Sequence, residues 1–351
     1  MGEARKAEDQ KPEGLEAAED HLPGAQAGSR ALHYLLMDLP TLSNHFSIPG
    51  VLSFSQNEDG LQKACVSTPT CSAELYLQGA HLAQWQPAGA RPVLFLSERS
   101  VFERGKAIRG GVPIIFPWFG NRTPNALSQR SDGPSHGFAR TADWTLVFAA
   151  LAGDDLHLTL TLDPSEVSRA LGYDQFQLVY QLTLGAELRL RLTVRNQGTA
   201  PLWFEEALHT YLAVGDAREI LIHGLGETRY LDKTDDFKVK VQRDSLLRLT
   251  GETDRPYLDT GATVDLDDPL YGRRVRVEKS NSRTTVVWNP WSTLTAKLPD
   301  MSPEGWLSMV CVETANVASD AITLHPGEQH TVEARISQAP HPDPDPALRP
   351  C

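Results

Sequence analysis

Residues 176–195 read FQLVYQLTLGAELRLRLTVR, and this stretch decides the fold class. From position 188 to 195, leucine or valine occupies positions 188, 190, 192 and 194, and arginine occupies positions 189, 191 and 195. Alternation with a period of two is typical of a strand that buries one face. Gly185-Ala186 lies between the two apolar segments and predicts a tight hairpin turn. The stretch therefore predicts two antiparallel strands, at residues 176–184 and 187–195.

The same kind of pattern extends on both sides of this hairpin. Leucine at every second position from Leu156 to Leu162 predicts a strand immediately before it. Further strands are predicted at 74–77 and 81–85 around a turn at Gly79, and at 202–209, 219–222, 237–241, 274–278, 284–288, 308–313 and 330–336. Helix patterns are scarce: one short turn fits 164–170, and 31–39 fits a strand or a short helix. Many short strands without βαβ alternation predict an all-β fold, a large antiparallel sandwich or barrel.

Composition divides the chain into three parts. The Glu, Lys, Ala and Gly content of residues 1–30 cannot bury a core, which predicts a disordered tail. Residues 31–338 hold all predicted strands and are interpreted as one β-sandwich domain. Residues 339–351 are rich in proline, which predicts an extended or disordered tail.

Charge and composition exclude several partners. The formal net charge of −12 over 351 residues argues against nucleic acid or an anionic membrane as the main partner, since either needs a broad basic face. No segment reaches the ~18 apolar residues of a membrane span. The four cysteines show neither metal-finger spacing nor the density of a disulfide scaffold. We expect reduced thiols and a cytoplasmic protein.

The sign of the charge reverses locally between Arg99 and Arg140. Seven basic and two acidic residues in this segment give a net charge of +7 − 2 = +5. It contains RGGVPIIFPWFG from Arg109 to Gly120, in which the prolines predict an irregular wall and not a central strand. SHGFAR, from Ser135 to Arg140, adds a second arginine after a second glycine turn. Two arginines on glycine-bearing loops suit a small anionic ligand, although any one of them could equally be solvated.

Acid and base chemistry is the remaining candidate, because no nucleotide or metal motif is present. Gly224-Leu225-Gly226 lacks a third glycine, and the histidines do not occur at metal-ligand spacing. His209 ends an apolar strand and is either catalytic or a buried structural residue. Glu313 ends another strand, where desolvation would raise its pKa towards the range of a general base; the alternative is a solvated edge carboxylate. Asp254 lies in a polar segment, GETDRPY, that suits sugar hydroxyls or is merely solvated.

Taken in order, RGGVPIIFPWFG, SHGFAR, ALHTYL, GETDRPY, NPW and MVCVET resemble the hexose-6-phosphate mutarotase branch of the aldose 1-epimerase family. The resemblance covers roughly residues 39–336 and implies the galactose mutarotase-like β-sandwich, with no cofactor and no metal. The ordered set of motifs is specific, whereas each motif alone is not.

The resemblance also implies roles for individual residues. His209 matches the general acid and Glu313 the general base of the family. Arg109 and Arg140 match the arginines that hold the phosphate, and Asp254 matches a carboxylate that binds the sugar. Two positions depart from the family: Ser135 stands where some relatives carry a glutamine that touches substrate, and Trp118 stands where many carry glutamine in FPQFG. Both are expected near the rim of the pocket.

The expected activity is therefore the interconversion of the α and β anomers of a hexose 6-phosphate by a monomer whose only partner is its phosphosugar substrate. Two alternatives stay open at this point. A neutral-sugar aldose 1-epimerase would need the acid and base but not two arginines. A non-catalytic phosphosugar-binding module would need the arginines but not both His209 and Glu313.

Overall fold

In the computed structural model of the protein, residues 37–341 are described. The predicted N-terminal tail, 1–30, and residues 342–351 of the predicted C-terminal tail lie outside this range. The last strand runs from Gln329 to Pro340, and Pro340 is paired with Arg273. The start of the C-terminal tail at residue 339 was therefore wrong, because the sheet register continues to the first proline of the Pro-rich segment.

Strands account for most of the regular structure, and the helices are short. Three α-helices are present in the described range, and the longest has 8 residues: α1 (Leu39–Phe46), α2 (Glu166–Ala170) and α3 (Trp291–Thr295). The strands are β1 (Leu52–Gln56), β2 (Gln62–Ser67), β3 (Cys71–Tyr76), β4 (His81–Pro87), β5 (Ile114–Ile115), β6 (Thr145–Ala152), β7 (Asp155–Leu162), β8 (Phe176–Leu184), β9 (Leu188–Asn196), β10 (Leu202–Phe204), β11 (Glu206–Leu208), β12 (Tyr211–Ala213), β13 (Leu221–His223), β14 (Arg229–Asp232), β15 (Lys238–Val241), β16 (Leu246–Leu247), β17 (Thr253–Tyr257), β18 (Val264–Asp268), β19 (Arg273–Ser280), β20 (Thr284–Asn289), β21 (Met309–Asn316), β22 (Ile322–Leu324) and β23 (Gln329–Pro340). No helix within residues 37–341 is long and apolar enough to span a lipid bilayer.

The strands assemble into antiparallel sheets. A nine-stranded sheet has the order β16-β13-β18-β19-β23-β9-β8-β7-β6. An eight-stranded sheet has the order β15-β14-β17-β20-β21-β11-β5, with β12 also paired to β21. A four-stranded sheet, β1-β2-β3-β4, and the pair β10-β22 complete the set. Leu190 of the first sheet, Val312 of the second and Trp85 of the third belong to one apolar cluster, so these sheets enclose a common core. This is the predicted sandwich.

The hairpin that decided the fold class is confirmed, with one change at its turn. Along β9 every leucine is buried and Arg189, Arg191 and Arg195 are exposed, as the alternation predicts. Leu184 pairs with Leu188, so the connection has three residues, 185–187, and not the two that were expected.

Three other predicted elements differ from the structure. The predicted strand 202–209 is divided at Glu205, whose carboxylate instead accepts hydrogen bonds from the N–H groups of Phe119 and Ala318. The strand predicted to end at Glu313 continues to Asn316, so Glu313 lies inside it. The segment around Asp254, predicted to be a polar loop, is strand β17. In each of these segments, pairing with a neighbouring strand determines where the strand begins and ends. Local composition does not predict that pairing.

Candidate active site

Four neighbouring strands of the eight-stranded sheet carry one row of side chains. The register pairs Asp254 with Trp288, Trp288 with Cys311 and Cys311 with Tyr211. Directly paired residues share a face of the sheet. Val312, the neighbour of Cys311 along β21, points the other way and belongs to the apolar core. The row therefore stands on the face that is turned away from the core.

His209 joins this face between β11 and β12. Strand β11 pairs Leu208 with Thr314, so the next residue, His209, falls opposite Glu313. The His209 Nδ1 atom is 3.4 Å from Glu313 Oε1. Two residues more than 100 positions apart in sequence thus form one pair, as their predicted roles require.

The two side chains of this pair are close enough to act on one sugar ring, at 3.4 Å. This is shorter than the ~5–9.5 Å that separates the two carboxyl groups on either side of a glycosidic bond in glycosidases. Anomer exchange is a different task, because its two proton transfers occur at the C1 hydroxyl and the ring oxygen, which are bonded to the same carbon. An acid and a base placed side by side can serve both oxygens from one direction.

Burial shifts the pKa of both members of the pair. Burial, and next the nearby Asp254 carboxylate, raises the pKa of Glu313 well above its usual value. Burial, and next His136, Arg140 and Arg109, lowers the pKa of His209 well below 6.5. Within the described residues, His209 Nδ1 and both Glu313 oxygens are buried without a hydrogen-bond partner. Buried polar atoms are normally satisfied, so these three mark a place that a ligand completes.

Aromatic rings hold the His209 imidazole in one orientation. Tyr211 stacks on it with centroids 4.8 Å apart and an interplanar angle of 9°. Phe119 lies over it at 6.4 Å and 20°, and the Trp288 ring meets it edge-on at 6.1 Å. Close packing of this kind restricts rotation of the ring, which keeps Nδ1 near Glu313.

The two predicted arginines both reach this site, but their surroundings differ. Arg109 donates hydrogen bonds to Asp300 Oδ2 at 3.1 Å and to the Tyr211 hydroxyl at 3.1 Å. Interaction with Tyr211 and Asp300 outweighs burial and raises the pKa of Arg109. Among the described residues, Arg140 has a single acceptor, the carbonyl of Ser135 at 2.7 Å. Burial and the charge of Arg109 lower its pKa, and most of the Arg140 donors have no acceptor within the described residues.

The other basic residues between Arg99 and Arg140 do not form the compact positive island that the charge count suggested. Arg122 is buried and stacks on Trp118, with its guanidinium carbon 4.6 Å from the ring centroid. Arg130 pairs with Asp132 at 2.6 Å. The charge count was correct, but Arg122 and Arg130 share Asp132, and carboxylates outside the segment pair with Arg104 and Arg109.

Gly137 lets the loop that carries Arg140 pass close to the wall of the site. Its φ is +70°, and a Cβ there would lie 2.1 Å from the Phe116 carbonyl oxygen. We expect Gly137→Ala to lower the free energy of unfolding by at least ~2 kcal/mol more than the matched variant Gly89→Ala. Gly89 has nearly the same φ, +69°, but nothing within 4 Å of the added atom. Urea unfolding of the two variants measures the difference, and equal losses would show that the close approach is not what requires glycine.

Asp254 reaches the site with a partner that the sequence did not reveal. Its Oδ2 atom is 2.8 Å from Lys233 Nζ, which also lies 5.3 Å from the centroid of the Phe119 ring. Burial raises the pKa of Asp254, and Lys233 opposes that shift. Lys233 was missed because the charged segment around it gives no signal that separates it from a solvated loop.

His136 was quoted within a motif but given no role. Its φ is +66°, and its Nδ1 accepts a hydrogen bond from the Gly120 N–H at 3.2 Å. Burial and next Arg140 lower its pKa well below 6.5, so the ring is neutral with its proton on Nε2. His136 therefore offers one hydrogen-bond donor to a ligand.

These residues line one cavity of about 300 Å³. All six predicted site residues belong to the lining of this cavity. The full lining is Arg109, Phe119, Ser135, His136, Arg140, His209, Tyr211, Lys233, Asp254, Trp288 and Glu313. Trp118, which was expected near the rim, is instead 1% exposed and packs in the core. The volume is that of a small-molecule site.

One subset of these residues has the donor atoms of a metal site. His209, Cys311 and Glu313 each offer a ligand atom, and the three atoms lie within 4.8 Å of one another. The sequence predicted no metal, because no two histidines have ligand spacing; the cluster arises from strand pairing.

Comparison with known proteins agrees with this geometry. The sequence model of the aldose 1-epimerase family matches residues 62–337. A protein of Escherichia coli (strain K12), named for an inferred glucose-6-phosphate 1-epimerase activity, is 36% identical over 259 residues, 73% of this chain and 84% of its own. A protein of Cenchrus ciliaris with the same name is 31% identical over 294 residues, 80% of this chain and 86% of its own.

Solved structures show the same fold. The crystal structure of YeaD from Salmonella typhimurium, assigned as a mutarotase, has a TM-score of 0.77 and 32% identity, covering 84% of this chain and 96% of its own. An Escherichia coli K12 protein assigned as an aldose 1-epimerase has a TM-score of 0.63 at 15% identity, covering 80% of this chain and 100% of its own. The family model matches residues 62–337, and a 36% identical relative aligns with most of the chain. The protein therefore belongs to the aldose 1-epimerase family.

Proposed function

We propose that the protein interconverts the α and β anomers of a hexose 6-phosphate, with glucose 6-phosphate as the representative substrate. The observation that carries this proposal is the convergence of a His–Glu pair, a carboxylate and two arginines in one cavity of about 300 Å³. The names of the 36% identical relatives point to the same substrate.

The reaction needs one acid and one base. A base takes the proton of the C1 hydroxyl while an acid gives a proton to the ring oxygen, so the C1–O5 bond breaks and the aldehyde forms. After rotation about C1–C2, O5 attacks C1, its proton returns to the first acid, and the first base protonates O1. The pair ends with the number of protons it began with, so no redox cofactor takes part. Each transfer contributes ~10²–10⁴-fold.

The pKa directions of the His209–Glu313 pair favour a neutral imidazole and a protonated carboxyl group. Burial, and next His136 and the two nearby arginines, opposes a charged His209, and burial favours the protonated form of Glu313. A phosphate dianion beside Arg109 and Arg140 would cancel part of that repulsion. Substrate binding would then favour protonated His209 and ionised Glu313, in which His209 is the acid and Glu313 the base.

The remaining residues bind and orient the sugar. We assign the phosphate to Arg140 and Arg109, which can hold it through charge-assisted hydrogen bonds. Asp254, held by Lys233, is the acceptor for sugar hydroxyls. His136 and Ser135 complete the lining as further hydrogen-bonding groups. We propose that the protein acts as a monomer and that it is cytoplasmic, where hexose phosphates occur.

One observation favours a neutral aldose as the second candidate. Asp300 already pairs with Arg109 at 3.0 Å, so of these two arginines Arg140 is the one without a carboxylate partner within residues 37–341. A non-catalytic binding module has less support, because it would gain nothing from two buried groups without partners.

Anomer exchange measured by NMR on glucose 6-phosphate and on glucose, side by side, tests the proposal. We expect catalysed exchange of glucose 6-phosphate and much slower exchange of glucose. Faster exchange of glucose would identify a neutral-sugar epimerase, and no acceleration of either sugar would contradict an epimerase function.

A further inference from the structure

We propose that His209, Cys311 and Glu313 form a binding site for Zn²⁺ and that the bound ion blocks the acid and base. The Nδ1 or Nε2 atom of the histidine, the Sγ of the cysteine and a carboxylate oxygen lie within 4.8 Å of one another. Zinc bonds to nitrogen, sulfur and oxygen are ~2.0–2.3 Å long, so the three donors would move closer together to share one ion. The binding part of this inference is independent of the proposed function, and the inhibition part rests on it.

Strand pairing builds the site. Cys311 and Glu313 are two residues apart on β21, so both point to the face opposite the core. His209 lies across from Glu313, and its ring is fixed by stacking on Tyr211. Two of the three donors thus stand on a strand, and the third lies in the two-residue connection between β11 and β12.

Binding of an ion would release the proton of the Cys311 thiol, whose pKa burial raises. His209 Nδ1 and both oxygens of Glu313 are buried and lack a hydrogen-bond partner within residues 37–341. The Cys311 side chain is fully buried and the thiol carries no disulfide. An ion would satisfy atoms that the protein leaves unsatisfied. The fourth coordination position would face the cavity, which His209 and Glu313 line.

The donor set selects the metal. One imidazole nitrogen, one thiolate and one carboxylate suit Zn²⁺, whereas Mg²⁺ and Ca²⁺ require mostly oxygen ligands. A dication with one thiolate and one carboxylate has no net charge. This neutrality lowers the cost of burying the ion near the cations that line the same cavity, Arg109, Arg140 and Lys233.

A bound ion would stop the reaction directly. It would occupy lone pairs of His209 and Glu313 that otherwise accept and return protons. The bound substrate would then lie beside a metal ion, with neither His209 nor Glu313 available for proton transfer. Zn²⁺ is therefore expected to inhibit anomer exchange, and a chelator is expected to restore it.

Calorimetric titration of the full chain with Zn²⁺ alone tests the site, in wild type and in Cys311→Ala. Cys71→Ala is the matched control, because Cys71 is also buried and unpaired but lies on β3 outside the cluster. We expect Cys311→Ala to weaken the tightest Zn²⁺ site at least ~10-fold and Cys71→Ala to leave it unchanged. Equal affinity in wild type and Cys311→Ala would overturn the proposal.

Co²⁺ provides a second readout that requires no activity. Wild type and Cys71→Ala should show a thiolate-to-cobalt charge-transfer band in the near ultraviolet, and Cys311→Ala should not. A band of equal strength in all three proteins would place the metal on another cysteine and overturn the assignment. Activation of anomer exchange by Zn²⁺ would overturn the inhibitory role while leaving the site itself supported by the titration.

Discussion

Glu313→Gln and His209→Ala are each expected to reduce catalysed anomer exchange by at least ~10²-fold, because each removes one of the two proton-transfer groups. The glutamine keeps the shape of Glu313 but cannot accept and return a proton. Exchange by NMR on glucose 6-phosphate measures the loss. Glu278→Gln is the control for removing a carboxylate, since Glu278 pairs with Arg335 on the other sheet.

Stability separates this prediction from misfolding. Both oxygens of Glu313 are buried without a hydrogen-bond partner in the described part of the chain, which costs stability. Glu313→Gln should therefore unfold at the same temperature as wild type or higher, as expected where function opposes stability. A folded variant with near-wild-type exchange would remove that residue from the mechanism, and a loss of activity that accompanies unfolding would not support its role.

The strands could be predicted from sequence where the signal is local. In residues 188–195 the alternation is set by neighbouring positions, and the structure buries the apolar residues as predicted. The division of 202–209 could not be predicted in this way. At Glu205 the chain changes from pairing with β22 to pairing with β21 and β5, and these partners are distant in sequence.

The site residues illustrate the same limit. The motifs identified His209 and Glu313 by resemblance, but their 3.4 Å approach follows from the pairing of β11 with β21. Cys311 was placed only as an ordinary reduced thiol, and the register brings it to the same pair. Lys233 had no signal at all, because a lysine in a charged segment is usually solvated. Local patterns therefore predicted elements, and nonlocal pairing determined which side chains meet.

Arg140→Ala is expected to lower kcat/KM for glucose 6-phosphate tenfold or more while changing the weak activity on glucose little. Charge-assisted hydrogen bonds to a phosphate dianion are worth ~1.5–3 kcal/mol, and a neutral sugar gains nothing from them. Arg140 is the sharper probe of the two arginines. In the described range the Arg140 side chain has one acceptor, the Ser135 carbonyl. Loss of Arg109 would also leave the Asp300 carboxylate without its arginine partner.

Two further measurements test whether Arg140 acts through its charge on the phosphate: the Arg140→Lys variant and the dependence on ionic strength. Arg140→Lys should restore only part of the lost activity, because an ammonium group cannot reproduce the bidentate fork of a guanidinium. Raised ionic strength should oppose the phosphorylated substrate more than glucose, since screening weakens the attraction between Arg140 and the dianion. Equal losses on the two sugars in Arg140→Ala would mean that this arginine supports the sugar pocket or the loop that begins at Ser135. The phosphate assignment would then be withdrawn in favour of a neutral aldose.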